Sequence, residues 1–265
     1  MLYTVVKELN QQIIEIELIA SHAWPAHEVQ YLGGWMLRAS YGITHRANST
    51  LILDELPEGD IDSAIQIIRE FYISRGLPPR FQLTNASVPA NIDRKIADLG
   101  FILEMKVNVQ IISLDSLIQG VSPFRVEIHP TPQQDWLSTY AAVGDYDSFS
   151  LGIRKSIMTR IVQKKAYVAA IFKDKVVGVG FGVAEGGWLG LFVINTLTQF
   201  RCKGIATAIT RTLAQWGLSK GATRAYLLVE QKNEPANDLY NHLGFKNLYC
   251  YWYRLEQGSN EINSK

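Results

Sequence analysis

The sequence predicts an α/β (α+β) fold built twice, and three observations carry that prediction. The 265 residues exceed one typical domain of about 100–200 residues and fall short of two large ones. Segments of helical and strand periodicity alternate along the chain. One order of elements also recurs. The first copy reads Arg69-Glu-Phe-Tyr-Ile-Ser-Arg-Gly76, Phe81-Gln-Leu-Thr84, Pro89-Ala-Asn91 and Leu99-Gly-Phe101. The second reads Ala214-Gln-Trp-Gly-Leu-Ser-Lys-Gly221, Tyr226-Leu-Leu-Val229, Pro235-Ala-Asn237 and Leu243-Gly-Phe245. Gly76 and Gly221 lie 145 positions apart, Pro89 and Pro235 146, and Leu99 and Leu243 144. Two copies of one fold account for this better than chance.

Residues Glu8 to Trp24 read as a helix, with Ile13, Ile16, Leu18 and Ile19 recurring, and Pro25 ends it. Strands follow at Val29–Leu32, Trp35–Ala39 and Ser49–Leu53, the first two joined through Gly33-Gly34. Ile61 to Ser74 is a helix, because Ile61, Ala64, Ile65, Ile68, Phe71 and Tyr72 fall on one stripe, and Gly76 terminates it. A short strand at Phe81–Leu83, a helix at Ala90–Leu99 and a long strand at Phe101–Ile112 complete residues 1–112 as the first domain. Ser113–Pro123 is polar, broken by Gly120 and Pro123, and reads as a linker.

The second domain, 124–256, opens with a strand at Phe124–Ile128 and helices at Gln133–Val143 and Leu151–Gln163. Strands at Ala166–Phe172, Val176–Ala184 and Trp188–Ile194 follow, then a helix at Gly204–Leu218 with Ile205, Ile209, Leu213 and Trp216 on one face. Strand Ala222–Val229, helix Pro235–Leu243 and strand Phe245–Leu255 close it, and 257–265 is a polar, frayed tail.

Composition narrows the function classes. Hydrophobic residues at 47% make a folded chain. With 26 basic and 25 acidic residues there is no global field for nucleic acid or an anionic membrane. Two cysteines, Cys202 and Cys250, are too few for a disulfide scaffold, and the N-terminus lacks a signal-peptide layout, so the cytoplasm is expected. Val176–Ile194 carries one charge, Glu185, yet its six glycines and central Glu-Gly-Gly read as two buried strands rather than a membrane span. His22, His27, His45, His129 and His242 show no metal spacing, and no metal is expected.

The chemistry-bearing segment is Gln199-Phe-Arg-Cys-Lys-Gly-Ile-Ala-Thr207, between a strand and a helix. The amides at a helix start lack intrahelical partners, and the helix dipole adds positive charge there. Arg201 and Lys203 add more, Gly204 admits close approach, and no carboxylate opposes them. Such a turn suits a phosphate or pyrophosphate. It has neither the Lys-Ser/Thr of a nucleotide P-loop nor the three glycines of a dinucleotide fold.

This segment resembles the Gln/Arg-x-x-Gly-x-Gly/Ala pyrophosphate loop of the GNAT superfamily of acyl-CoA-dependent N-acetyltransferases. Asn233-x-x-Ala236-x-x-Leu239-Tyr240 followed by Gly244-Phe245 resembles the family's second motif at the expected distance. The resemblance covers about Phe124 to Glu256 and implies a mixed, mostly antiparallel sheet flanked by helices in each half. It implies acetyl-CoA as co-substrate and a small-molecule, amino-acid or peptide amine as acceptor, in a ternary complex. The oligomeric state stays open.

By this resemblance Ile194, Asn195 and Thr196 meet the pantetheine. Arg201, Cys202, Lys203, Gly204, Ile205, Ala206 and Thr207 hold the pyrophosphate, Asn233 contacts the cofactor and Tyr240 protonates the departing thiolate. Asn233 also suits a helix N-cap, and Tyr240 suits aromatic packing. Thr198 stands where the family often has Pro. The general base is unassigned: the family's Leu-Glu-Val is Leu227-Leu228-Val229 here, leaving Glu230 as the nearby candidate, while Asp145 or Asp147 could hold a cationic amine acceptor or simply form an exposed Asp-rich loop. In the first half the corresponding loop, Asp54 to Asp60, is acidic, and Asp93-Arg94 replaces Leu239-Tyr240. That half therefore resembles the degenerate partner of tandem-GNAT proteins. A non-catalytic acyl-CoA sensor and a transferase for longer acyl or aminoacyl donors are the alternatives.

Overall fold

The computed structural model describes residues 2–56, 60–118 and 124–257. In chain order the elements are α1 (Leu2–Ala23), β1 (Glu28–Leu32), β2 (Trp35–Ala39), β3 (Thr50–Ile52), α2 (Ile61–Ile73), β4 (Arg80–Leu83), α3 (Ile92–Asp98) and β5 (Phe101–Ser113). They continue with α4 (Leu114–Leu117), β6 (Arg125–His129), α5 (Gln134–Gly144), α6 (Ser148–Arg160), β7 (Lys164–Phe172), β8 (Lys175–Glu185) and β9 (Trp188–Thr196). The last are α7 (Ile205–Ser219), β10 (Arg224–Glu230), α8 (Glu234–His242) and β11 (Lys246–Glu256). Single 3-10 turns lie at Arg46–Asn48 and Thr198–Phe200. Two compact units divide the chain: one runs to Val107 and resumes at Tyr249, and the other is Asn108–Leu248.

The first unit orders its strands β1-β2-β3-β4-β11. All neighbours are antiparallel except β3 and β4, which run parallel with Thr50 opposite Phe81. The α2 stripe packs as its period dictates: Ile65, Ile68 and Tyr72 are buried with Trp35, Phe81 and Phe101. The same sheet carries a buried polar cluster. Arg46 Nη1 and Nη2 and Gln82 Nε2 donate to Glu17 Oε2 at 2.9, 2.9 and 2.7 Å, and the Tyr249 hydroxyl donates to Glu17 Oε1 at 2.8 Å.

Three expectations are corrected here. The second domain does not extend to 256, because the chain from Tyr249 belongs to the first unit, where β11 pairs antiparallel with β4 from Trp252 opposite Leu83 to Leu255 opposite Arg80. Asp93 reinforces that pairing, accepting from Arg254 Nε and Nη2 at 2.6 and 2.9 Å. The linker does not begin at Ser113, because α4 buries Leu114 and Leu117 in the core of the second unit, and Leu114 N–H donates to Thr223 O at 3.0 Å. Helix α6 starts at Ser148 rather than Leu151, because Asp147 Oδ1 accepts from Ser150 N–H at 2.7 Å and caps it. Residues 119–123 of the expected linker, Pro57–Gly59 of the acidic loop and 258–265 of the tail lie outside the described residues.

The second unit orders its strands β5-β10-β9-β8-β7-β6. Strands β6 to β9 are antiparallel neighbours, while β9 and β10 are parallel. Each unit is thus a mixed, mostly antiparallel sheet with helices, as the sequence predicts. Among the described residues no helix is long and apolar enough to cross a membrane. Val176–Ile194 is the β8–β9 hairpin, turned at Gly186 and Gly187 with φ of +58° and +80°.

Helix α7 lies directly on β8 because of glycine. A Cβ on Gly178 would stand 2.6 Å from Ile205 Cγ2, and one on Gly182 2.8 Å from Leu213 Cδ2, while Gly180 faces Ile209 Cγ2 more closely still. Gly180→Val is expected to cost about 1–3 kcal/mol through overpacking, read as a lower Tm. In the first unit, burial opposes ionisation of Glu104, but hydrogen bonds from His45 and Arg80 and the Arg80 charge outweigh it. Its carboxyl falls from 4.5 to about 2. The folded form is the stronger acid, so this stabilisation is present above about 4.5 and is lost as pH falls towards 2. Denaturant titrations should show Glu104→Gln less stable by up to about 3 kcal/mol near neutrality, with the gap closing on acidification.

Candidate active site

Strands β9 and β10 pair from Trp188–Arg224 to Leu191–Leu227, and no pair continues beyond, although both strands do. On the other side of β9 the register with β8 shifts between Val179–Asn195 and Phe181–Phe192. One extra β9 residue is accommodated there, and Val193 takes φ +55°, an unusual conformation for a β-branched side chain. The bulge takes Val193 and Ile194 out of the β8 register, which resumes at Val179–Asn195 and Gly178–Thr196, while on the other side this stretch of β9 has no partner in β10.

The chain then passes through the 3-10 turn into α7. Cys202 and Gly204 both have positive φ, +57° and +81°. Gly204 is the N-cap residue, and Ala208 N–H is the first to bond back, to Gly204 O at 3.0 Å. The amides of Ile205, Ala206 and Thr207 therefore have no intrahelical acceptor. Arg201 Nε lies 3.4 Å from Thr196 O, and Lys203 Nζ lies 5.3 Å from the centre of the Phe200 ring.

These features line a cavity of about 790 Å³. Of the residues expected to hold a cofactor, Ile194, Asn195, Thr196, Arg201, Cys202, Gly204, Ile205, Ala206, Thr207 and Asn233 line it, and Lys203 does not. Thr196 Oγ1 is buried with no hydrogen-bond partner among the described residues. Asn233 also caps α8, its Oδ1 accepting from Ala236 N–H at 3.2 Å. Cys202 is exposed, and neither it nor Cys250 is in a disulfide.

Tyr240 is brought near but not into the lining. It is buried in the core of the unit, edge-on to Phe245 with ring centres 5.5 Å apart. Burial pushes its phenol well above the ordinary range, so it stays protonated. Neither the candidate base Glu230 nor the candidate acceptor-binding carboxylates Asp145 and Asp147 line the cavity. Glu230 is exposed at the end of β10. Asp147 is committed to capping α6, and Asp145 is the left-handed residue that ends α5. No cluster of three or more His, Cys, Asp or Glu suited to a metal occurs among the described residues.

Sequence reasoning missed Phe200, Pro235, Leu239 and His242 as lining residues. The last three recur at i, i+4 and i+7 on α8, which was available as a signal. The Val193 bulge had none.

A family model described as "Probable histone acetyltransferase Rv0428c C-terminal" matches residues 10–254. The chain belongs to this family. A relative from Bacillus subtilis, named "Uncharacterized N-acetyltransferase YobR", is 29% identical over 92% of this chain and 99% of its own length. The "Probable histone acetyltransferase Rv0428c" of Mycobacterium tuberculosis is 26% identical over 87% of this chain and 70% of its own. Among solved structures, a GCN5-related N-acetyltransferase from Kribbella flavida superposes with a TM-score of 0.70 at 14% identity, covering 92% of this chain and 95% of that one. A tandem GNAT protein from the clavulanic acid biosynthesis pathway superposes at 0.56 and 12% identity, over 71% and 66%. The family is a GNAT one, and its member here is an acetyltransferase.

Gly204→Glu should weaken CoA binding on the order of a hundredfold, since it strains a positive-φ position and puts a carboxylate beside the unbonded amides that open α7. Calorimetric titration with CoA measures this, and unchanged affinity would remove the loop from cofactor binding.

Proposed function

We propose that the protein moves the acetyl group of acetyl-CoA to a primary amine of a small molecule, amino acid or peptide, by direct attack in a ternary complex. The observation that carries this reading is the coincidence of two features in one cavity. Strands β9 and β10 part there, and the outward amides of α7 open onto it. The gap suits the pantetheine arm, with the exposed edges of Ile194 to Thr196 as hydrogen-bonding partners. The amides of Ile205 to Thr207, with Arg201, suit the pyrophosphate. Asn233 is the further contact, on the other wall.

In the reaction the neutral amine attacks the thioester carbonyl, the C–S bond breaks, and the thiolate leaves. Tyr240, held protonated by burial just behind the lining, is the residue assigned to protonate that thiolate, reaching it when the cofactor fills the cavity. The described residues lining the cavity include no carboxylate but do include His242, so the amine's proton passes to His242 or to water, and solvent returns a proton to Tyr240. The printed names of the relatives add N-acetylation in general and histone acetylation in particular, so lysine peptides belong among the acceptors.

The test is release of CoA thiol from acetyl-CoA over a panel of small amines, amino acids and lysine peptides. Thiol release with one class supports the reading. Tight acetyl-CoA binding with no release across the panel would replace it by an acyl-CoA sensor, and preference for a longer acyl-CoA would replace the donor. Tyr240→Phe should lower kcat at least about tenfold with little change in cofactor affinity. Full activity in that variant would remove Tyr240 from the reaction.

A further inference from the structure

Two further cavities adjoin at the other end of α7. The larger, about 340 Å³, has Ile128, Pro130 and Trp216 among its walls. The smaller, about 250 Å³, lies against the β8–β9 turn at Gly186 and Gly187. Lys164 and Lys220 line both, so the two side chains stand where the cavities meet. The 15 residues of α7, about 22 Å of helix, separate this place from the cofactor cavity. The local charge is positive and unspent. From Ser148 to Lys173 the chain has six basic residues and no acidic one. Lys165 is committed, its Nζ donating to Met158 O, Thr159 O and Ile161 O at 2.9, 3.0 and 2.8 Å at the end of α6. The side chains of Lys164 and Lys220 have no hydrogen bond or ion pair among the described residues. His129, on the larger cavity, stands 3.4 Å from Glu127. The carboxylate on the walls is Glu185, at the turn end of the smaller cavity. Arg224 stands near it, 3.9 Å from the ring centre of Trp188, which lines the same cavity. The negative end of α7 is masked as well. Gly217 O accepts from Lys220 and Ala222 N–H at 2.9 and 3.0 Å, and Leu218 O from Gly221 N–H at 3.0 Å.

Two uncommitted ammonium groups beside a partly buried indole form a recognition set for a phosphomonoester carried on an aromatic ring. Each lysine offers a compact charge with three donors to phosphate oxygens. Trp216 offers a flat ring for stacking, and Ile128, 43% exposed, continues the apolar wall with Pro130. A volume of about 340 Å³ is at the small end of the range for small-molecule sites. We propose that the adjoining cavities bind a nucleoside monophosphate, with the phosphate between Lys164 and Lys220 and the base against Trp216. No residue lines both this site and the cofactor cavity. The site therefore does not rest on the acetyl-CoA reading.

Calorimetric titration of the full chain, saturated with CoA, with AMP, UMP and inorganic phosphate tests it. At least one of the two nucleotides should bind one-to-one, and at least about tenfold more tightly than inorganic phosphate. Lys164→Ala/Lys220→Ala changes two exposed side chains. It should weaken the nucleotide at least about tenfold and leave CoA affinity unchanged. Failure of both nucleotides to saturate would overturn the site, as would undiminished nucleotide affinity in the double variant. Nucleotide binding seen only without CoA would place it in the cofactor cavity and overturn the site too. A nucleotide no tighter than inorganic phosphate would overturn the stacking on Trp216. Should CoA itself fail to bind, nucleotide binding that depends on the two lysines would uphold this site while the acetyl-CoA reading fell.

Discussion

The seating of α7 on β8 is the contact on which the site depends. With Gly178, Gly180 and Gly182 in line, the helix reaches the sheet backbone, and Ile205, Ile209 and Leu213 fill the space that side chains on β8 would take. That approach sets where the helix begins. The amides of its first turn then lie at the end of β9, where the Val193 bulge and the parting from β10 open the sheet. A cavity made of strand edge and helix terminus needs all three at one place. Close packing makes the arrangement unforgiving, because dense interiors transmit a shift of even one methylene.

The first unit repeats the order of elements with different chemistry. Its parallel pair, β3 and β4, corresponds to β9 and β10, and α2 follows β3 as α7 follows β9. Acidic residues, Asp54 and Glu55, follow its strand where Arg201 and Lys203 follow the other. Asp93, which stands in place of Leu239, is taken up by Arg254 and Trp252. One face of the sheet is given to the cluster around Glu17. Burying that carboxylate is tolerable only because Arg46, Gln82 and Tyr249 together occupy both its oxygens. Three of these partners come from distant parts of the chain, which ties α1 and β11 to the sheet.

Legibility in the sequence followed the range of the interactions involved. The glycine-bearing basic turn before α7, the Asn233 cap and the α2 and α7 stripes are local patterns, and each lies where the sequence placed it. The hidden features are nonlocal. Nothing near Tyr249 announces that β11 pairs with Arg80–Leu83, since the two segments lie far apart in the chain and only the assembled sheet sets them side by side. The polar look of Ser113–Pro123 concealed α4, because Leu114 and Leu117 find their core only against α7 and its neighbours. Asp145 and Asp147 looked like acceptor ligands, yet one ends a helix and the other begins one.

By itself, the sequence determined the fold class, its repeated order of elements, the family and the basic turn that sets one half apart. Those depend on periodicity, glycine positions and charge, all carried by neighbours in the chain. Tertiary structure alone decided the cavity: which α8 side chains face it, and that Tyr240 sits behind its wall. These residues are joined through β8, β9 and the helices packed on them, and such neighbourhoods exist only once the sheet has formed.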